Sequence, residues 1–154
     1  MYHHIPLSFK GKLYLSGIEG INYIKYLNVG YVVSLFPPLQ NQSIPEGVKH
    51  DEIKIADRSD IETKIKMNSI LDIICRKIRK HLHNGDNVLV HCFAGISRSA
   101  TVVTDFICKY ETGILDPYNK VNSSIEYIKM FRPQVEPNIG FIQLLNVRNP
   151  SVKL

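Results

Sequence analysis

The segment 91–99 joins a cysteine, a glycine and an arginine in a spacing that suits phosphate chemistry. It reads HCFAGISRS and lies between a short apolar run at 87–90 and a longer apolar stretch that begins at Ala100. The order of strand, tight glycine-containing loop and helix directs backbone N–H groups inward, and the helix dipole adds partial positive charge. The sequence therefore predicts an anion-binding loop at 92–98.

Cys92 and Arg98 lie at the two ends of this loop. An environment that attracts anions also stabilises a thiolate, which makes Cys92 a candidate nucleophile. The planar guanidinium of Arg98 can hold two phosphate oxygens at once, a geometry that lysine lacks. The intervening residues would supply the backbone N–H groups that bind the phosphate: Phe93, Ala94, Gly95, Ile96 and Ser97.

A plainer interpretation makes Cys92 an inert buried thiol and Arg98 an unrelated surface residue. The coincidence of His91 at the strand end, Gly95 in the loop and Ser-Arg-Ser at the helix start favours the catalytic interpretation.

The whole segment resembles the signature of cysteine-dependent dual-specificity phosphatases. Leu13-Tyr14-Leu15 is similar to the opening strand of that family, and Arg132-Pro133 with the PNIGF run at 137–141 is similar to its closing segment. The chain has no tryptophan, so it lacks the Trp-Pro-Asp loop of the larger tyrosine-specific enzymes. The resemblance implies a single catalytic domain over 1–154, of the small type that carries no kinase-docking domain.

The resemblance also implies a mechanism. The family carries a general acid on a loop upstream of the signature, and Asp57 matches that position, with Asp60 as the rival that is better placed to cap a helix. The Cys92 thiolate would attack phosphorus while Asp57 protonates the departing oxygen. Ser99 would stabilise the thiolate when water releases phosphate from the phosphocysteine. No metal and no other cofactor is implied.

Two further residues have open roles. His91 either tunes the nucleophile or is a buried histidine with satisfied hydrogen bonds, and Asn138 either braces the loop or caps the last helix. Cys75 and Cys108 lie on apolar helix faces and are interpreted as core residues.

Around the loop, the hydrophobic pattern predicts strands interleaved with helices. This order is typical of an α/β domain with a central, mainly parallel, twisted sheet that helices cover on both faces, here in the arrangement of the cysteine-dependent phosphatases. Ligands in such sheets bind beyond the carboxyl ends of strands, where the loop falls. The expected strands are 12–16, 31–35, 49–55 and 87–90, and the expected helices are 21–27, 60–84, 100–110, one opening at Asp116-Pro117 and running through Ile128, and 138–147.

Composition bounds the setting. Hydrophobic residues make up 44% of the 154 residues and charged residues 21%, a balance typical of globular proteins. No apolar run approaches the roughly 18 residues of a membrane span, and the first residues lack a signal-peptide pattern. We expect a cytoplasmic protein that can also be nuclear, with phosphorylated proteins as partners and neither nucleic acid nor membrane among them. The net charge of +5 favours anionic partners.

These features predict a protein phosphatase that hydrolyses phosphotyrosine as well as phosphoserine and phosphothreonine, because the segment before Asp57 is too short for loops that deepen a tyrosine-specific pocket. Two alternatives stay open. One is a phosphoprotein-binding module with little or no turnover, and the other is a phosphatase for a phosphoinositide, a phosphorylated glycan or an RNA 5′ end.

Overall fold

Five strands form one central sheet in the structure, which is a computed structural model describing residues 1–154. The strands are β1 (Tyr2–Ile5), β2 (Leu13–Ser16), β3 (Val29–Ser34), β4 (Lys49–Glu52) and β5 (Asn87–His91). Their order across the sheet is β1-β2-β5-β3-β4. β1 runs antiparallel to β2, and the other neighbours are parallel. The mainly parallel sheet is confirmed, with β1 as an unexpected antiparallel edge.

Alternating side chains of the inner strands build two cores of unequal size. In β5, Val88 and Val90 face the larger core, whereas Leu89 faces the smaller one. All three side chains are fully buried, as expected of a parallel strand covered on both faces. The covered sheet is therefore confirmed.

Four α-helices and two short 3₁₀-helices surround the sheet. They are α1 (Ile61–His83), α2 (Arg98–Tyr110), α3 (Lys120–Lys129) and α4 (Ile139–Arg148), with 3₁₀-helices at Ile18–Tyr23 and Thr112–Ile114. α1 and α2 pack against the sheet, α3 and α4 pack against α2, and the first 3₁₀-helix covers the opposite face. No helix combines the length and the apolar character needed to cross a membrane.

Helix α1 forms as its apolar stripe predicts. Met67, Leu71, Ile78 and Leu82 are fully buried, since residues three and four apart share one helix face. Asp60 is the N-cap, and its Oδ1 accepts a hydrogen bond of 2.9 Å from the Thr63 N–H. The expected capping role of Asp60 is confirmed.

Three expected elements differ from the structure. The helix expected at 21–27 is the 3₁₀-helix Ile18–Tyr23. The strand expected at 49–55 ends at Glu52, because β4 pairs only with Tyr31–Ser34 of β3 and the ladder then has no partner. The helix expected at Asp116 begins at Lys120. The Asp116 carboxylate instead accepts from the Tyr118 N–H at 2.9 Å, which closes an Asx turn.

A buried carboxylate fastens α2 to the C-terminal end of α4. Asp105 is fully buried and accepts hydrogen bonds from Lys109, Arg148 and Asn149 at 2.8–3.1 Å. Burial alone would raise the pKa of Asp105, but these donors outweigh it and hold the pKa below its usual value. The network fixes the helix whose first turn carries Arg98 and Ser99.

Candidate active site

The loop 92–97 lies between the end of β5 and the start of α2. It is therefore beyond the carboxyl ends of the parallel strands, where α/β sheets bind ligands. The neighbouring strand anchors its base, because the Leu35 N–H donates to the His91 carbonyl at 2.9 Å. The loop thus starts from a fixed point on the sheet.

The carbonyl groups of the loop point outward. The Ile18 N–H donates to the Phe93 carbonyl at 2.8 Å, and the Glu136 N–H donates to the Ile96 carbonyl, also at 2.8 Å. Both donors belong to segments that flank the loop. Each bond turns a peptide plane so that its oxygen faces the protein.

Arg132 holds the two carbonyls in between. Its Nε donates to the Gly95 carbonyl at 2.9 Å, and its Nη2 donates to the Ala94 carbonyl at 3.1 Å. The side chain is 2% exposed, and Nη1 is fixed by the Met1 carbonyl at 2.8 Å and by His3 Nδ1 at 2.9 Å. A rigid, buried guanidinium therefore sets the shape of the loop from behind.

The N–H groups of the loop consequently face its interior. Of those from Phe93 to Ser97, only the Gly95 N–H has a partner within the chain, the Cys92 sulfur at 3.2 Å. The remaining N–H groups are free to donate. A ring of free N–H donors next to a helix N-terminus is an anion-binding site.

Cys92 lies at the centre of this ring. Its side chain is 2% exposed, and its Sγ lies 3.2 Å from the Ser99 Oγ. The other two thiols lie elsewhere in the core, and burial raises the pKa of Cys108 to about 11 and that of Cys75 well above its usual value. Cys92 is thus the one thiol held among hydrogen-bond donors.

Gly95 makes the tight curvature of the loop possible. Its φ of +69° lies in the left-handed region, and a Cβ there would stand 2.4 Å from the Ser16 carbonyl carbon and 2.5 Å from Arg132 Nη2. Backbone and a buried guanidinium cannot give way cheaply. Only glycine fits this position.

We expect Gly95→Ala to lower kcat/KM on para-nitrophenyl phosphate by about tenfold or more, because a left-handed non-glycine residue costs about 1–2 kcal/mol before any clash is counted. Gly113→Ala is the matched control, since no atom lies within 4 Å of a Cβ at Gly113. Steady-state kinetics and thermal melting of both variants check this. Full activity of Gly95→Ala would show that the loop tolerates another shape.

The Arg98 side chain leaves the loop along one wall of the site. Its Nη1 donates to the Ile55 carbonyl at 3.0 Å, and its Cζ lies 5.5 Å from the centre of the Phe36 ring. Its Nε is buried and has no hydrogen-bond partner. A buried, unsatisfied donor of this kind is rare in proteins and is typical of ligand sites.

Asp57 is tied to the loop through Asn138. The Asn138 Nδ2 donates to Asp57 Oδ1 at 2.8 Å, while its backbone N–H donates to the Ser97 Oγ at 2.9 Å. Asn138 also caps α4, because its Oδ1 accepts from the Phe141 N–H at 2.9 Å. The bracing and capping interpretations of Asn138 therefore describe the same side chain. Nowhere do three His, Cys, Asp or Glu side chains cluster in a way that could hold a metal ion.

His91 is fully buried beneath the loop with both ring nitrogens in hydrogen bonds. Its Nδ1 donates to the Cys92 carbonyl at 3.1 Å, and its Nε2 accepts from the Ser34 hydroxyl at 2.5 Å. The Ser34 Oγ in turn lies 2.7 Å from His50 Nε2. Burial lowers the pKa of His91 to about 4, so the ring is neutral at pH 7 and holds the Cys92 carbonyl in place.

Aromatic side chains form one rim of the site. Phe93 is 50% exposed and Ile96 is 36% exposed, in agreement with the expected position of both at the opening. The Phe36 ring meets the Phe93 ring edge-on at 5.1 Å. An aromatic wall of this kind can pack against the body of a bound side chain.

Sequence reasoning did not assign functions to Arg132, Phe36, Ser34 or His50. Arg132 was part of a segment that resembles the family, but no local pattern shows that it reaches back to the carbonyls of residues 94 and 95. These contacts join residues 37 or more positions apart. Only the fold brings them together.

Comparison with known proteins agrees with the site. Residues 13–149 match the family model described as "Dual specificity phosphatase, catalytic domain". The chain is 26% identical to Dual specificity protein phosphatase 1 of Arabidopsis thaliana over 98% of its own length and 72% of that protein. It is 35% identical to human Dual specificity protein phosphatase 15 over 68% of its own length and 32% of that protein.

Solved structures share the fold. The Yvh1 phosphatase domain from Chaetomium thermophilum superimposes with a TM-score of 0.75 over 96% of this chain and 94% of that one, at 24% identity. At this identity the likeness concerns the fold alone.

Proposed function

The chain belongs to the dual specificity phosphatase family, and from this premise we propose that it hydrolyses phosphotyrosine, phosphoserine and phosphothreonine in proteins through a phosphocysteine intermediate. The family supports protein phosphatase activity. The proposal adds the range of phosphoresidues and the residues that perform the reaction.

One observation carries the proposal. The four carbonyls from Phe93 to Ile96 all bind donors outside the loop, and the N–H groups surround the Cys92 sulfur. A phosphoryl group placed on that sulfur would meet N–H donors on every equatorial oxygen. Donors fixed before the reaction stabilise developing charge without reorganisation.

In the first step, the Cys92 thiolate attacks phosphorus opposite the ester oxygen. The S–P bond forms as the P–O bond breaks, and the departing oxygen takes a proton from the Asp57 carboxyl. The Asn138 amide donates to Asp57 Oδ1, which leaves Oδ2 to carry the proton. Arg98 supplies its unsatisfied Nε–H to the phosphoryl oxygens.

In the second step, water attacks the phosphocysteine and Asp57, now a carboxylate, accepts its proton. The P–S bond breaks, inorganic phosphate leaves, and the electron pair returns to the Cys92 sulfur. The Ser99 hydroxyl, 3.2 Å from that sulfur, donates a hydrogen bond to the returning thiolate. Each group thereby ends in its starting state.

The rim supports action on both classes of phosphoresidue. Phe93 and Ile96 are exposed and leave the site open, so a short aliphatic side chain can reach Cys92 as well as an aromatic one. Phosphotyrosine should react faster, because a phenolate departs more easily than an alkoxide and requires less help from Asp57.

We expect kcat/KM to be measurable on matched peptides that carry phosphotyrosine, phosphothreonine or phosphoserine, with phosphotyrosine highest. The same phosphate-release assay should include para-nitrophenyl phosphate, a phosphoinositide and an RNA 5′ triphosphate. Strict selectivity for phosphotyrosine would contradict the open cleft. Activity confined to the lipid or RNA would contradict a protein substrate, and binding of phosphopeptides without any turnover would identify a binding module instead.

A further inference from the structure

A groove of about 480 Å³ opens beside the phosphate loop. Its walls are the segment 35–37 at the end of β3, the segment 54–56 that precedes Asp57, and the first turns of α1. The Arg98 side chain forms the wall toward the loop. The groove is therefore continuous with the site at a residue that both share.

The groove carries an excess of positive charge. Lys54 and Lys66 line it, are exposed, and form no salt bridge, whereas Glu62 is the only carboxylate in its walls. With Arg98, three cations stand against one anion. Other lysines of the same helix are engaged elsewhere: Lys77 pairs with Asp51 at 3.0 Å.

The groove also has an apolar floor that suits a peptide side chain. Phe36 and Pro37 line it at half-buried positions, and Leu35 closes it from the core. The Phe36 ring lies beneath the Arg98 guanidinium and against the Phe93 ring. A chain held over the loop at Phe93 would thus continue directly onto this floor.

We propose that this groove is a subsite for a second anionic group of the substrate, an acidic side chain or a second phosphate close to the reacting phosphoresidue. The inference rests on the proposed function, since it names the class of phosphoprotein that the same site prefers. The apolar floor favours a peptide over a phosphoinositide headgroup, whose hydroxyls and phosphates offer nothing to pack against Phe36 and Pro37. Lys54 and Lys66 supply the charge, and Arg98 links the two anions.

The first test compares matched phosphopeptides with the wild-type protein. One peptide has neutral residues around the phosphoresidue. Others place glutamate or a second phosphate one or two positions before or after it. We expect kcat/KM to rise by about threefold to tenfold for the acidic or doubly phosphorylated peptides on one side only, as is usual for one or two exposed charge contacts. The gain should appear in KM and shrink in high salt, because ions screen exposed charges.

The second test removes the lysines. Lys54→Ala with Lys66→Ala should abolish the gain and leave kcat/KM on para-nitrophenyl phosphate and on the neutral peptide unchanged. Lys64→Ala is the matched control, since it removes the same charge from the same helix outside the groove, where Lys64 donates to Gln143 at 3.2 Å. Lys54→Glu with Lys66→Glu should reverse the preference.

The outcomes separate the groove from the proposed function. Equal kcat/KM on neutral and acidic peptides, or an equal loss in Lys64→Ala, would overturn the subsite while the phosphatase activity stands. A phosphoinositide preferred over every peptide and dependent on the same two lysines would also overturn it in favour of a lipid. Absence of turnover on all peptides and on para-nitrophenyl phosphate would overturn the proposed function itself.

Discussion

Cys92→Ser is expected to lower turnover of para-nitrophenyl phosphate by about 10⁴-fold or more, because a nucleophile removed from a unit of cooperating residues leaves little residual rate. A serine hydroxyl is hardly ionised at neutral pH, whereas the loop is built to hold a negatively charged sulfur. The Gly95 N–H and the Ser99 hydroxyl, both at 3.2 Å from the sulfur, serve a thiolate.

The fold should survive this substitution. The serine oxygen can bond to the same two neighbours, so no buried donor is left without a partner. The carbonyls of the loop are fixed from outside by Ile18, Glu136 and Arg132, and none of these contacts involves the Cys92 side chain. Phosphate analogues should therefore still bind the N–H groups.

The measurements are initial rates, thermal melting and tungstate binding by calorimetry. Cys108→Ser is the matched control, since Cys108 is a buried thiol in a separate cluster with Val121, Ile125 and Leu145. It should keep its activity and lose only stability. Clear turnover by Cys92→Ser, in protein purified free of wild type, would show that the nucleophile lies elsewhere.

The loop was predictable because its information is contiguous in the chain. The apolar run before it, Gly95 within it and the helix after it suffice to predict an anion site, and each feature acts over a few residues. The α1 stripe is local in the same way. Predictions of this kind depend on spacing alone.

Elements that depend on distant partners were not predictable. β1 reads YHHI and β4 reads KHDE, and both lack the apolar pattern of a buried strand because they lie at the edges of the sheet. Their identity as strands comes from pairing with β2 and β3. No property of their own sequence indicates that pairing.

The same reasoning explains why the surroundings of the site were missed. Arg132 follows a helix end, where an arginine is ordinarily a surface residue, yet the fold buries it behind residues 94 and 95. The groove beside Arg98 joins three segments that are distant in the chain. Spacing can identify reactive side chains, but the groups that orient them are found only in three dimensions.

Asp57→Asn is expected to lower kcat/KM on phosphothreonine and phosphoserine peptides by about 10²- to 10⁴-fold, the usual contribution of a positioned general acid. The substitution is nearly isosteric. An asparagine Oδ1 can still accept from the Asn138 Nδ2, as Asp57 Oδ1 does at 2.8 Å, so the loop and the cap of α4 should keep their geometry. The variant removes only the acidic proton.

Asp60→Asn is the matched control, three positions along the same segment. Asp60 caps α1 through Thr63 and pairs with the exposed Arg58 at 2.7 Å. Asparagine caps a helix nearly as well as aspartate, so the rate should stay near that of wild type and the melting temperature should fall only slightly. If Asp60→Asn loses the rate and Asp57→Asn keeps it, the two assignments are reversed.

The leaving group distinguishes an acid from a residue that merely shapes the site. Para-nitrophenolate departs without a proton, whereas the alkoxide of serine or threonine requires one, so loss of a general acid must be larger on the peptides than on para-nitrophenyl phosphate. A distorted site would slow both substrates alike. We therefore expect the ratio of the two rates to change in Asp57→Asn and to stay constant in Asp60→Asn. Equal losses on both substrates in Asp57→Asn would assign it a positioning role through Asn138 and leave the proton donor to be found elsewhere.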